Sequence, residues 1–354
     1  MSASIKIAFV LLVLIMVTVV WISTYTVKWR FGETIAINEK LEWIWNDPVR
    51  NQTVYTGVQL QPFLHLTPDT YYQKWPLKMT NLNYKFVLSP DTPCDSGTRI
   101  VAICYSVADR ILTRDATRST WGSVVRDGTW IGSDKKYKGV KVYFMLALPS
   151  KEMKYTINNI TSEFHQHNDL ILVDFMESYR NLTLKTLMAL KWMKEHCKQA
   201  QFMLKVDEDI FVNIPRIWNM LNEDVTDKMM GYVVSGKVYR DEGPYGVPIT
   251  HFPFSYYPRY LSGPIYVIST SLIPKLLQTA EYVPPFSVED AFVTGVLRTV
   301  INASMVDGSC FLSRSAKIDP INGNCGIGVR GAWDYHKVWS SFEGNSSMAY
   351  NVTN

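Results

Sequence analysis

The chain has 354 residues, 47% hydrophobic and 19% charged, which is enough apolar material for a sizeable core and carries no biased tract. Its formal net charge of +4 balances 36 Lys and Arg against 32 Asp and Glu. No stretch gathers the cations into a phosphate-tracking stripe, so a nucleic-acid partner is not expected.

In chain order, the first element is an apolar run. Ile7 to Val27 is 21 residues without an Asp, Glu, Lys, Arg or His. As a helix it would span about 31 Å, the thickness of a bilayer core. Its length, and the aromatics Trp21, Tyr25 and Trp29 near its end, predict an uncleaved signal-anchor behind a cytoplasmic tail of residues 1–6. The flanking charges Lys6, Lys28 and Arg30 do not settle orientation. The glycosylation sequons do. Asn51, Asn159, Asn181, Asn302, Asn345 and Asn351 each open an N-x-[ST] triplet, and all come after the run, which predicts a lumenal body. Cys94, Cys104, Cys197, Cys310 and Cys325 also come after it. Their number is odd, no C-x-x-C spacing occurs, and their pairing is open; Cys104, inside an apolar run, reads as a buried thiol.

Residues 28–97 carry six prolines together with Trp43, Trp45 and Trp75, and read as a lumenal stem that partly packs on the domain beyond it. From Arg99 onward, short apolar runs alternate with amphipathic ones. Strands are expected at 100–105, 140–148, 169–173 and 201–206, and helices through Arg118, over 151–167 and over 182–197. Strands this apolar are buried on both faces, so the alternation predicts a mainly parallel α/β sheet. The domain is expected to cover 98–340, with a tail of 341–354.

The fourth strand runs into Asp207-Glu208-Asp209. Three adjacent acids repel one another; a solvated turn or a hard divalent cation relieves that repulsion. Ligands of open α/β sheets bind beyond the carboxyl ends of strands, which is where this cluster falls. Glu289-Asp290 is a second acidic pair. Ser287-x-x-Asp290 fits a capping box for a helix over 291–300, while either acid could serve as a general base. Arg110, Arg114 and Arg118 recur every four residues, suiting either an ion-paired helix face or phosphate contact. Ser262-Gly263 reads as a small-residue turn entering a strand.

Taken in order, Arg114–Gly122, Asp174-Phe175, Tyr179–Thr186, Lys205–Asn213, Ser262-Gly263 with Tyr266–Ser269, and Glu289-Asp290 resemble the β1,3-galactosyltransferase family, which includes β1,3-N-acetylglucosaminyltransferases and Fringe-like glycosyltransferases. The resemblance covers about residues 98 to 340. It implies a Rossmann-like glycosyltransferase-A fold, a single-pass type II Golgi membrane protein, a UDP-sugar donor, Mn2+, and inversion at the anomeric carbon. By position it implies Asp209 as main metal ligand with Asp207 beside it, and Asp207 and Glu208 near the nucleoside. It also implies Asp290 as catalytic base supported by Glu289, and donor contacts from Arg114, Arg118, Lys205, Ser262 and Gly263. Glu208 departs from the three Asp residues usual in the family. A histidine metal ligand is also usual before a C-terminal Trp, and here His336 is the candidate. The expected activity is transfer of galactose or N-acetylglucosamine to a glycan acceptor on protein or lipid, in β1,3 linkage. The competing readings are a non-catalytic lumenal sugar- or nucleotide-binding module and a metal-dependent phosphoesterase.

Overall fold

The computed structural model describes residues 78–351, apart from 151–152, 222–224, 242, 250, 312–314, 320–321 and 343–348. The anchor at 7–27, residues 28–77 of the stem, and Asn51 and Asn345 lie outside the described residues. Among the described residues no helix is long and apolar enough to cross a membrane.

The apolar runs become the centre of one eight-stranded sheet. Its strands are β1 (Phe86–Leu88), β2 (Ile100–Tyr105), β3 (Val140–Leu148), β4 (Leu170–Met176), β5 (Phe202–Asp207), β7 (Lys228–Val234), β8 (Tyr260–Ser269) and β9 (Ser304–Asp307). The order is β1-β4-β3-β2-β5-β8-β7-β9. The four strands β4, β3, β2 and β5 are parallel, as the alternation predicted. Beyond them the sheet is mixed: β8 runs antiparallel to both β5 and β7, and β1 antiparallel to β4. A short strand β6 (Ile210–Val212) leaves the sheet and pairs antiparallel with β11 (Gly326–Gly328), and β10 (Ser315–Lys317) pairs with β12 (Ala349–Asn351).

Helices cover both faces, which is why every residue of β2 is buried. They are α1 (Ile111–Ser119), α2 (Ile157–His167), α3 (Leu182–His196), α4 (Ile214–Met220), α5 (Ile273–Ala280), α6 and α7 (Ala332–Ser341). Within α6, Ala291–Leu297 is a π-helix that continues as α-helix over Arg298–Val300. One face of the sheet packs through Ala102, Phe144, Leu204, Ile327 and Tyr335. The other packs through Val101, Met145, Leu187, Trp192, Tyr266 and Phe292.

Four expectations change. The segment read as stem supplies edge strand β1, because Phe86 and Leu88 register against Val173 and Leu172. Helix α2 begins at Ile157, where Asn159 Oδ1 accepts the Thr156 N–H at 3.0 Å. Tyr260–Ser269 is one continuous strand with no turn at Ser262-Gly263. The expected capping box gives way to Asp290, whose own Oδ1 accepts the Ala291 N–H at 2.8 Å. Disulfides join Cys94 to Cys197 and Cys310 to Cys325, and Cys104 is a free, buried thiol.

The sequons divide by burial. Asn159 and Asn302 are exposed. Asn181 is 3% exposed and its Nδ2 donates to Met176 O at 3.0 Å, so a glycan on that nitrogen has no exit from the folded domain. Asn159→Gln and Asn302→Gln are each expected to remove one glycosidase-sensitive mobility step on a gel. Asn181→Gln is expected to remove none, and to destabilise the fold by about 1–3 kcal/mol through the lost buried hydrogen bond.

Candidate active site

The site is built on the carboxyl end of β5. Asp207 closes that strand, Glu208 and Asp209 make the turn, and β6 starts at Ile210. The turn is clamped from behind. Tyr335 Oη lies 3.0 Å from Glu208 O and 3.1 Å from Ile210 O, donating between them, and Val329 N–H donates to Asp209 O at 2.8 Å. A cleft of about 1060 Å³ opens above it, lined by Asp207, Glu208 and Asp209, by Glu289 and Asp290, and by Arg110, Ser262, Gly263 and Val329–Gly331.

The three acids of the turn do different things. Glu208 points toward the end of β2: Oε2 accepts from Ser106 Oγ at 3.1 Å and Val107 N at 3.3 Å, and Oε1 lies 3.4 Å from Arg110 Nε. Asp209 is exposed to the cleft. The surrounding protein, and then the charge of Asp207, push its carboxyl above the ordinary value. Asp207 Oδ1 accepts from Lys205 Nζ. Two adjacent carboxylates suit a hard divalent ion, which takes oxygen ligands. Among the described residues no group of three His, Cys, Asp or Glu could hold a metal. His336 is exposed on α7 and does not line the cleft, so the expected partnership with Asp209 is not assembled.

Lys205 is 3% exposed and commits its donors inside the protein. Nζ donates to Asp207 Oδ1 and to Gly263 O at 2.5 Å, and lies 3.3 Å from Glu289 Oε1. Burial alone would lower its pKa, but Asp207 and Glu289 raise it, so it remains an ammonium. Its role is to tie the acids of β5 to those of α6 rather than to reach for a ligand.

Glu289 is 6% exposed, and its Oε2 accepts from Thr186 Oγ1 at 2.9 Å and Tyr266 Oη at 3.0 Å. Burial pushes its carboxyl up. Asp290 reaches the cleft beside it. Burial, and then the Glu289 charge, raise Asp290 from 3.8 to about 7, the range of a general base at neutral pH. The π-helix after it shifts its backbone bonds just where this acid must be aimed, a frequent use of π-turns.

Gly263 makes room for that acid. A Cβ there would stand 3.0 Å from Asp290 Oδ2, so the close approach read from the glycine is to a carboxylate of the chain itself. Gly263→Ala is expected to leave the unfolding midpoint nearly unchanged while lowering turnover about 10- to 100-fold, because sub-ångström displacement of a reacting group costs that much. Steady-state kinetics with a thermal melt checks both halves.

Arg114 and Arg118 lie beneath the cleft and do not line it. Arg114 is 1% exposed. Its Nε and Nη2 grip Glu163 at 2.7 and 2.6 Å, and its remaining donors bind Ser106 Oγ, Val107 O and Ala108 O. Arg118 pairs with Asp169, Glu163 and Asp115. The donor contact expected of them falls on no free N–H of Arg114, and within this arginine series it is Arg110 that faces the cleft. Sequence reasoning also passed over Glu177 and Lys185, a buried pair at 2.7 Å in the cleft wall. Lys185 carried a signal, standing in Tyr179–Thr186. Tyr245, which lines the cleft from the β7–β8 connection, carried none.

The Galactosyltransferase family matches this chain over residues 112–308, more than half its length and spanning both acidic clusters. Its relatives include β-1,3-galactosyltransferase 1 of Mus musculus, 28% identical over 260 residues that cover 70% of this chain and 76% of that one. UDP-GalNAc:β-1,3-N-acetylgalactosaminyltransferase 1 of Rattus norvegicus is 29% identical over 221 residues, covering 60% and 63%. β-1,3-Galactosyltransferase 5 of Gorilla gorilla gorilla is 29% identical over 231 residues, covering 63% and 74%. Solved structures are more distant: a glycosyltransferase involved in glycosylating the major capsid of PBCV-1 overlays with a TM-score of 0.32 at 9% identity, covering 59% of this chain and 81% of that one. The protein is a glycosyltransferase. It belongs to the Galactosyltransferase family.

Proposed function

We propose that this enzyme transfers a hexose, galactose or N-acetylglucosamine, from a UDP-sugar to a hydroxyl of a glycan in β1,3 linkage, with inversion at the anomeric carbon. The observation that carries the reading is one cleft holding two separated acid sets: Asp207 and Asp209 at the end of β5, and Asp290 raised to about 7 on the start of α6. Asp290 takes the proton of the acceptor hydroxyl as its oxygen attacks the anomeric carbon from the face opposite the leaving UDP. Glu289, held by Thr186, Tyr266 and Lys205, fixes the neighbouring backbone and keeps negative charge beside Asp290, which sustains its basicity. Asp209, with Asp207, would hold a divalent ion such as Mn2+, which when bound would supply positive charge for the departing diphosphate. Arg110 stands on the same side as Glu208, lines the cleft, and is the cation that side offers to the nucleotide. The apolar run 7–27 and the exposed sequons support a Golgi membrane protein with this domain in the lumen, behind a stem, acting on glycans of proteins or lipids.

A panel of UDP-sugars incubated with the purified chain tests this by release of UDP. Manganese-dependent release is expected with UDP-galactose or UDP-N-acetylglucosamine, abolished by EDTA and lowered at least about 100-fold in Asp209→Asn. Release of inorganic phosphate in place of intact UDP, or equal rates with EDTA, would overturn it.

A further inference from the structure

The two walls of the cleft are chemically unlike. One wall belongs to the sheet face that carries Ala108, Met153 and Val329, and it presents Arg110, Glu208 and Arg330. The other belongs to the face that carries Leu182, Val247, Tyr260 and Val288, and it presents Asp290 with Tyr179, Tyr245 and Tyr260. Tyr179 and Tyr245 come from different parts of the chain. Their ring centroids are 5.9 Å apart at an interplanar angle of 85°. Both remain about half open to solvent, 48% and 57% exposed. Tyr179, Tyr245 and Tyr260 line the same cleft as Asp207 and Asp290, which places the aromatic wall beside the reacting centre.

Hydrogen bonds anchor the backbone near both rings although the fold does not bury them. Tyr179 opens a short 3-10 turn that Asn181 pins to Met176 O and Ser178 Oγ caps at Arg180 N. Tyr245 stands on the β7–β8 connection. Buried Val238, Val247 and Phe252 root that connection, and Arg240 Nη1 clasps Val247 O at 2.8 Å and Phe252 O at 2.7 Å. A fixed tyrosine offers flat, amphipathic contact area at little cost in conformational entropy. Its π-face is electron-rich and favours the polarised C–H bonds on the apolar face of a pyranose.

Resting on the proposed transfer reaction, we infer that Tyr179 and Tyr245 form the acceptor platform. One ring takes the apolar face of a pyranose unit of the acceptor glycan, while the other, standing at 85° to it, walls the sugar's edge, so that one of its hydroxyls meets Asp290. The nucleotide is drawn to the opposite wall, where the cation Arg110 and the end of β2 lie. The acceptor must contact the base, and the wall carrying the base is the aromatic one.

Saturation-transfer NMR on the full chain in detergent, without donor, tests the platform. The probes are methyl β-D-galactopyranoside and methyl β-D-N-acetylglucosaminide. Ring C–H signals are expected for at least one probe with the wild type and with Asp290→Asn. In the Tyr179→Ala/Tyr245→Ala double variant its affinity should fall about tenfold or more, whereas Tyr179→Phe/Tyr245→Phe keeps the ring faces and the binding. Unchanged sugar binding in the alanine double variant, absence of binding by the wild type, or loss of UDP binding in place of sugar binding would each overturn the inference. Failure of the reaction itself reads out separately, as absence of UDP release by the wild type across the donor panel.

Discussion

Asp290→Asn is expected to lower kcat about 10²- to 10⁴-fold with little change in donor KM, the range lost when a positioned general base is removed. The substitution keeps the size of the side chain, and the amide oxygen can still accept the Ala291 N–H that Asp290 Oδ1 accepts now. The lost function is therefore proton removal and not architecture. In the wild type, kcat/KM should fall on the acid side with an apparent pKa of about 7, by about tenfold per pH unit below it. Stability should move in the opposite direction. The folded chain binds this proton more tightly than an unfolded chain whose Asp titrates near 3.8. The contribution of Asp290 to stability is therefore full below about pH 3.8 and is lost as pH rises through about 7. At pH 8 the Asp290→Asn variant should melt at a higher temperature than the wild type, and near pH 4 the two should converge. A stability–function exchange of this sign is common where a site holds a destabilised group. Turnover within a factor of about three of wild type would remove Asp290 from the base role.

How much of this was legible in the sequence depends on what each residue needs in order to be recognised. Strands β2, β3, β4 and β5 are local: runs of six to nine mostly apolar residues announce themselves. The site at the end of β5 inherits that clarity, because Asp207, Glu208 and Asp209 sit directly after the run. β1 and β9 are three and four residues long with exposed or half-buried positions, so no period develops within them. Only pairing with a distant partner makes them strands. The antiparallel entry of β8 is likewise a property of the sheet and not of Tyr260–Ser269 alone.

Side-chain direction was the least legible. Glu289 and Asp290 are adjacent acids in the sequence, yet one is tied to Thr186 and Tyr266 and the other faces the cleft. Asn181 opens a well-formed sequon and is nevertheless spent on a turn. His336 stood near the right tryptophans, but the helix that carries it turns Tyr335 and Val338 inward and leaves His336 outside. Tyr245 could not have been chosen from any motif; its meaning depends on Tyr179, some sixty positions away in the chain, coming to within ring contact of it.

Arg114 shows the same limit with the largest structural consequence. Its place in the family-like series suggested a nucleotide contact, whereas the fold uses it as a buried strut between α1, the end of β2 and Glu163 of α2. Burial alone would push Glu163 up, but the guanidiniums of Arg114 and Arg118 hold it below the ordinary carboxylate value. Arg114→Met leaves Glu163 with half its partners, takes the Arg114 donor from Ala108 O, and leaves Val107 O with the Arg110 N–H. The expected cost is about 3–5 kcal/mol of unfolding free energy, the usual penalty for breaking a buried ion pair from one side. Arg114→Lys should recover only part of it, since an ammonium cannot grip both Glu163 oxygens and reach the β2 carbonyls at once. Arg114→Met combined with Glu163→Met should be more stable than Arg114→Met alone, because the buried carboxylate left with Arg118 as its remaining cation is then gone. Because Glu163 is held low, its stabilising contribution is present above its unfolded pKa and is lost as pH falls through its folded one. The gap between wild type and Arg114→Met should therefore narrow in acid. Chemical denaturation at two pH values measures all of this. A folded Arg114→Lys with wild-type stability and a sharply raised donor KM would return Arg114 to the nucleotide; a stability loss that Glu163→Met relieves keeps it as the strut under Ser106–Ala108, the backbone from which the Glu208 side of the cleft is built.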